Sequence, residues 1–550
     1  MTSPALDPPE SRKARGAFFT PPAIARFLVD WAVRSPSDRV LEPSCGDAVF
    51  LRAAAERIVS FPSDRSSAFL HGIELHGPSA RTAAEALAPW PVSSRVESGD
   101  FFDFHPAHSY DAVVGNPPYV RFQDFSGERR VRSRRAALEA GVNLSGLASS
   151  WAAFVVHAGE MLAPGGRLAL VLPAELLAVH YAAPVRRYLL DRFSDVSLVM
   201  FEQRVFPGVQ EEVVLLLAEG SGTSDSILLS QVVDASGLAE LARSAFTKRP
   251  VSGDLRWGGA PLEADADAAY AQGCELAGET LGDWGRAFLG GVSGANHFFA
   301  LDSTDLKQHG LGNEDVVRLA PTATRHVRGV ALTAARLAAA DRAGGKTWLF
   351  RPGGKPGTAA RDYISLGERT GVHRRYKCRV REPWWQVPLP RVGHLLLTYL
   401  NADAPRLVEN AERVTHLNGL HGIELHHGRK TLGSELLPVV FPNSLTLLGC
   451  ELIGRAYGGG LLKLEPGDVG RLPLPALELL RDHRLSLRGL RRELDRRITG
   501  GDWHGAVSLV DAELLSGMMG LDGATVSAIA TARETLRSRR KARSAEPASP

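Results

Sequence analysis

Tyr110-Asp111-Ala112-Val113-Val114-Gly115-Asn116-Pro117-Pro118-Tyr119 reads as one short buried strand stopped by two prolines. Neither proline can donate to a sheet, so the strand ends at Asn116. The prolines also keep the backbone extended, which lets the carbonyls of Asn116 and Pro117 point out of the sheet edge. Asn116 adds a side-chain acceptor and Tyr119 a flat ring. Together these groups suit a planar amino group on a flat ring. Its two hydrogens go to Asn116 Oδ1 and the Pro117 carbonyl, while Tyr119 stacks on the ring. Such an amine is delocalised and a poor nucleophile. Two acceptors on its hydrogens favour a more tetrahedral nitrogen, whose lone pair can attack a sulfonium methyl in line. No side chain with a shifted pKa is required. A proline-rich turn with a surface tyrosine is the plainer alternative for the tetrapeptide alone.

Upstream of it, strands and helices alternate. Arg39-Val40-Leu41 and Phe69 to Glu74 read as strands, Phe50 to Val59 and Pro78 to Ala88 as helices. Downstream, Trp151 to Leu162 reads as a helix closed by Pro164-Gly165-Gly166, and Arg167 to Leu172 and Val213 to Ala218 read as strands. This alternation indicates an α/β fold, a largely parallel sheet with helices on both faces. Such sheets bind ligands at the carboxyl ends of their strands. The segments expected there carry the parts that a nucleotide-like cofactor needs. Leu41-Glu42-Pro43-Ser44-Cys45-Gly46-Asp47-Ala48 follows the first strand, with small residues that let a ligand approach the backbone. Glu74, ending the second strand, can accept from ribose hydroxyls. Gly99-Asp100-Phe101-Phe102 offers a carboxylate for an amino group and a ring to pack on it.

At 550 residues the chain suggests two to four domains, and 44% hydrophobic with 23% charged residues excludes a disordered protein. Its most apolar stretch, Leu168 to Val185, is interrupted by Pro173, Glu175, His180 and Pro184, which argues against a membrane span. The N-terminal residues contain no apolar core of a secretory signal. Cys45, Cys274, Cys378 and Cys450 form neither a CxxC pair nor a zinc spacing, and read as reduced thiols of a cytoplasmic protein. Residues 1–220 hold 22 Lys+Arg against 25 Asp+Glu, and the remainder 42 against 36. Nearly all the positive charge is arginine. A GC-rich genome accounts for that bias, and its consequence is a supply of forks suited to phosphate and guanine edges. Gly and Ser cluster from Glu219 to Ser224. The expected organisation is residues 1–220, a linker at 221–280, a Gly-, Pro- and Arg-rich region at 281–475, and a helical tail at 476–550. The tail ends in a basic run, Arg537 to Arg543, expected to be disordered.

The ordered set of motifs resembles a class I S-adenosylmethionine-dependent methyltransferase, specifically the gamma-class (Taq-type) N6-adenine DNA methyltransferases. Ala17-Phe18-Phe19-Thr20-Pro21-Pro22, Trp151-Ala152-Ala153-Phe154, Leu162-Ala163-Pro164-Gly165-Gly166-Arg167, and Val205-Phe206-Pro207 with Glu212-Val213-Val214 match that family's order. The resemblance is specific over residues 12–220 and weaker beyond. It implies a Rossmann-like, mostly parallel sheet of seven strands, an α+β target-recognition domain and a helical C-terminal tail. It implies S-adenosylmethionine as cofactor and no metal. Thr20, Glu42, Ser44, Gly46, Glu74, Asp100, Phe101, Pro118 and Phe154 would surround the cofactor. Asn116, Pro117, Tyr119 and Phe206 would hold the adenine, flipped out of the duplex. One position departs from the pattern. The family's loop often reads Gly-Asp-Gly, here Gly46-Asp47-Ala48, and alanine resists positive φ. Either that position is not left-handed or the loop is reshaped.

Flipping a base costs a few kcal/mol of unstacking, and the basic second part is the expected DNA clamp. Arg369 to Arg381 alternates like a strand and carries Arg374, Arg375, Lys377, Arg379 and Arg381, for phosphate contact or as a solvated edge. Arg129 and Arg130, with Arg132, Arg134 and Arg135, would flank the flipped base or form a solvated helix face. Gly290 to Phe299, Val414 to Gly422, and Tyr457 to Pro466 with Leu472 to Pro475 resemble the ends of target-recognition domains. His416, His421, His426 and His427 come without HExxH or a Cys partner, so hydrogen-bonding roles are favoured over a metal. The expected function is a site-specific methylase acting on double-stranded DNA as a monomer, the modification half of a type II restriction–modification system. No nuclease domain fits before Gly16 and no nuclease motif follows residue 220, so a separate endonuclease is expected as a genetic neighbour. Two alternatives stay open. A methyltransferase for RNA or a glutamine amide fits poorly, with only about forty residues before the loop and several hundred after it. A degenerate methyltransferase kept as a DNA-binding module fits poorly with intact Asn116–Tyr119, Glu42, Glu74 and Asp100.

Overall fold

The computed structural model describes residues 20–542, apart from 63–66, 121–124, 126, 147, 204, 207–211, 242–244, 252–256, 258–261, 263, 322–325 and 458–459. Ala17 to Phe19, Pro207, Gly458-Gly459 and Arg543 therefore lie outside the described residues. The chain divides into a first unit, residues 1–259 with 542–550, and a second, residues 260–541.

Nine strands form the sheet of the first unit: β1 Arg39–Glu42, β2 Phe69–Glu74, β3 Ser93–Ser98, β4 Tyr110–Gly115, β5 Leu162–Pro173, β6 Asp195–Phe201, β7 Val213–Glu219, β8 Ser226–Val232 and β9 Thr247–Pro250. Their order is β3-β2-β1-β4-β5-β7-β6-β8-β9. The first five run parallel. β7 is antiparallel to both β5 and β6, β8 is parallel to β6, and β9 closes the edge antiparallel. The expected seven strands are thus present, but two more extend them. Residues 221–280 are accordingly not a bare linker. The Gly220–Gly222 turn only reverses the chain, and Ile227 and Leu229 then continue the buried pattern.

Strand side chains alternate between faces, and the two cores follow that period. Leu41 and Val113 point into one cluster with the helix Ser150–Glu160, nearly all of whose residues are buried. Val40, Ala112 and Val114 point into the other, against the helices Pro22–Ala32 and Val49–Ser60. Burial on both faces explains why β4 reads as a continuous apolar run.

In the second unit, an antiparallel sheet is ordered Gly285–Leu289, Leu420–Leu425, Leu395–Thr398, Leu407–Glu409. Gly290 follows its first strand, and a Cβ there would meet the Leu417 carbonyl oxygen at 2.2 Å. Helices Lys430–Val440, Ser444–Ile453, Arg484–Gly500 and Gly523–Ala542 share one core with this sheet. The expected helical tail is present, but its buried residues from Leu480 to Leu536 pack into this core. The basic run also departs from the expected disorder. Arg540 is buried and holds Glu451 by two hydrogen bonds, at 2.9 and 2.8 Å. Lys541 bonds Asp403 at 2.7 Å. Among the described residues no single helix is long and apolar enough to cross a membrane.

Candidate active site

The strand order brings four loops side by side. Glu42 ends β1, Glu74 ends β2, Asp100 follows β3 and Asn116 follows β4. All lie at carboxyl ends of parallel strands, where an open α/β sheet binds its ligands.

Glu42 is buried and, among the described residues, accepts from the Leu51 amide alone, at 3.2 Å. Burial, with Glu74 adding negative charge, pushes its carboxyl well above the usual range. A cationic group beside it would restore its ionisation. Glu74 accepts from the Gly46 amide at 2.9 Å and the His76 amide at 2.7 Å. It therefore shapes the loop and keeps acceptor capacity for hydroxyls. Gly46 has φ +48°, and a Cβ there or at Gly99 would meet nothing within 4 Å. The loop is open where a ligand would lie. Ala48 answers the question raised by its sequence: it is left-handed, with φ +61° and ψ +34°. The strain, roughly 1–2 kcal/mol, is borne by a buried residue whose amide bonds the Cys45 carbonyl at 2.7 Å.

Asp100 caps the turn Phe101–Asp103 through the Phe102 amide at 3.2 Å. Phe101 stacks on Phe154, centroids 5.3 Å apart, and Phe102 meets Phe154 edge-on at 4.8 Å. His157, which the sequence did not single out, packs on Phe101 at 4.6 Å and is hydrogen-bonded to its carbonyl at 3.1 Å.

Asn116 is held from two sides. Its Nδ2 donates to Thr20 Oγ1 at 3.1 Å, and its backbone carbonyl accepts from Ser44 Oγ at 3.4 Å. Its Oδ1 is buried and has no partner among the described residues. An orphaned acceptor costs free energy comparable to a lost hydrogen bond, so this atom marks where a donor belongs. Tyr119 donates to the Val171 carbonyl at 3.0 Å, which fixes its ring beside β5. Ser150 is the residue the sequence does not disclose. Its hydroxyl donates to the Pro118 carbonyl and accepts from the Val120 amide, while its own amide bonds the Val120 carbonyl at 3.0 Å. A serine at a helix start has no visible link to a loop thirty residues upstream. Phe206 is buried in the cluster against which Tyr119 packs.

The basic candidates separate. On the helix Glu128–Glu139, Arg130 bonds the Gly146 carbonyl, Arg132 pairs with Asp103 and Arg135 with Glu139. Arg129 and Arg134 are exposed and unpaired among the described residues. The run from Arg369 is not the expected strand. It forms a turn at Val372–Arg374 and a short helix, Tyr376–Arg379. Only Val372 and Cys378 are buried, so the alternation of Tyr376, Cys378 and Val380 never meets a sheet. Arg374, Arg375, Lys377 and Arg379 are all exposed. Among the described residues no group of His, Cys, Asp and Glu could hold a metal.

The sheet order and the loops at its carboxyl ends define a class I S-adenosylmethionine-dependent methyltransferase. Comparison with known proteins takes this further. The N-6 DNA Methylase family model matches residues 8–249, and the C-terminal domain model of type II methyltransferase M.Eco57I matches residues 256–515. Type II methyltransferase M.XamI of Xanthomonas campestris pv. amaranthicola is 26% identical over 86% of this chain and 88% of its own. M.AccI of Acinetobacter calcoaceticus is 20% identical over 86% and 87%. The cryoEM structure of a DrdV–DNA complex shares the fold, with a TM-score of 0.52 and 12% identity over 90% of this chain and 58% of that one. The first part of the chain is thus similar to the N-6 DNA methylases and the second to the C-terminal domain of a type II restriction–modification methyltransferase, and its cofactor is S-adenosylmethionine.

Proposed function

We propose that this chain methylates N6 of an adenine flipped out of duplex DNA at a specific sequence. The buried, partnerless Oδ1 of Asn116 carries this reading. S-adenosylmethionine supplies the methyl group on a sulfonium. The adenine amine donates one hydrogen to Asn116 Oδ1 and the other to the Pro117 carbonyl, which raises the electron density on N6. Thr20 holds Asn116 in its orientation, and Ser150 holds the backbone after Pro117. Tyr119 and Phe206 are assigned to the base. Glu42, Ser44, Gly46, Glu74, Asp100, Phe101, Pro118 and Phe154 are assigned to the cofactor, with Glu42 facing its positive charge.

Catalysis is assigned to the first unit and DNA recognition to the second. Arg374, Arg375, Lys377 and Arg379 are assigned to phosphates, as are Arg129 and, with its backbone tether, Arg130. We place the enzyme in the cytoplasm as a monomer, with its endonuclease on a separate chain. Duplex DNA incubated with methyl-labelled S-adenosylmethionine, then digested to nucleosides, should carry the label in N6-methyladenine. Label confined to cytosine, RNA or protein would overturn the reading.

A further inference from the structure

A cleft of about 310 Å3 lies within the second unit, between apolar walls that include Leu337 and Val414. Four polar residues line it: Arg318, Glu412, Arg413 and Thr415. Three features show that it is built rather than incidental. First, Arg413 is left-handed, with φ +51°, a conformation that favours glycine. Buried Asn410 enforces it. Its Nδ2 donates to the Gly393 and Val414 carbonyls, its Oδ1 accepts from the Val414 amide at 3.1 Å, and its carbonyl accepts from the Arg413 amide at 3.0 Å. Strain of this kind persists where the surroundings over-determine it and collects at ligand sites. Second, the Arg318 guanidinium lies 4.3 Å from the centroid of the Trp348 ring, which orients its planar fork in advance. Neither guanidinium has an ion pair or hydrogen bond among the described residues. Third, Thr415 is 6% exposed and its hydroxyl is buried without a partner among the described residues.

The chemistry selects between the two acceptors that DNA presents. A phosphate would meet the Glu412 carboxylate and apolar walls, both unfavourable. A base edge suits the mixture. Guanine presents O6 and N7 as adjacent acceptors, the pair that arginine forks match. We infer that this cleft reads a guanine of the recognition sequence, with Arg413 and Arg318 donating to its O6 and N7. The inference rests on the proposal that the second unit faces DNA.

Two variants test it. Arg413→Gly removes the fork and relieves the backbone, so the loop survives. Arg413→Lys keeps the charge and loses the fork. Each is given a randomised duplex library, and methylated sites are mapped by modification-sensitive sequencing. For both, one G·C position of the wild-type motif should become degenerate, its discrimination falling about 5- to 150-fold, with the other positions and cofactor affinity unchanged. An unchanged motif overturns the inference. So does a loss in Arg413→Gly that is uniform across sequences, lowers the salt slope by about one and is rescued by Arg413→Lys, because that identifies a phosphate contact. If the wild-type enzyme methylates no DNA, the DNA reading itself fails, and this inference with it.

Discussion

Asn116 illustrates how little of a proposed catalytic residue's fitness lies in its identity. The side chain suits its proposed role because Thr20 accepts one hydrogen bond from its Nδ2 and leaves Oδ1 without a donor among the described residues. Ser150 plays the same part for the backbone. It fixes the peptide after Pro117 by bonding on both sides of Tyr119. Replacing Ser150 with Ala should lower kcat about 10- to 100-fold through misplacement of the acceptors, with cofactor affinity intact. Ser150→Thr should restore part of the loss. Equal kcat in Ser150→Ala, measured at saturating DNA, contradicts the role. Asn116 was legible because prolines after a buried strand leave few alternatives. Ser150 was not, because its bonds cross to a loop that only the folded chain brings near. His416 makes a separate prediction. It is fully buried beside Phe288 with both ring nitrogens unpartnered among the described residues, and burial, with His421 in support, pushes its pKa down to about 4. Its folded value lies below the unfolded one, so its neutral form's stability is present above pH 6.5 and lost as pH falls toward 4. The loss is on the order of 3 kcal/mol. Urea denaturation of His416→Leu should show a shallower fall over that window than the wild type, and identical slopes would refute the assignment.

Elements were legible where composition and position agreed. β1, β2, β4 and β7 lie within a residue or two of their expected ends, because each is buried on one or both faces. β3 escapes such reading. Ser93-Ser94-Arg95-Val96-Glu97-Ser98 holds one apolar residue, and its pairing comes from β2. The Arg369–Arg381 run misleads in the opposite way, since its alternation is real but Tyr376 and Val380 stay 65% and 61% exposed. The C-terminal helix Gly523–Ala542 is the least legible, because its basic end is neutralised by partners distant in sequence. Arg540 and Glu451, with side chains 5% and 6% exposed, form a buried pair. Arg540→Ala removes both guanidinium bonds from the buried Glu451, and breaking such a pair costs about 3–5 kcal/mol. The thermal unfolding midpoint should fall, and the double replacement Arg540→Leu with Glu451→Leu should recover most of it. No recovery would show that the helix depends on packing instead.

At the scale of the whole chain, a slightly acidic first part and a basic second part agree with the proposed assignment of catalysis to the first and DNA recognition to the second. The sheet and the loops at its carboxyl ends were legible because strands and helices alternate there in order. The second unit was not, because its side chains are placed by contacts that no motif announces, as Asn410 places the Arg413 backbone. The resemblance weakened where this begins. The central claim joins the two scales: an N6-adenine methyltransferase whose chemistry runs through Asn116 Oδ1. Its most direct test is single-turnover transfer from labelled S-adenosylmethionine to duplex DNA carrying the enzyme's own site, with wild type and Asn116→Ala compared and cofactor binding measured in parallel. The account predicts label on adenine N6 for the wild type. It predicts a loss of at least about 100-fold for the variant, with cofactor affinity unchanged. Full transfer by Asn116→Ala, or label at any other atom of the DNA, would contradict it.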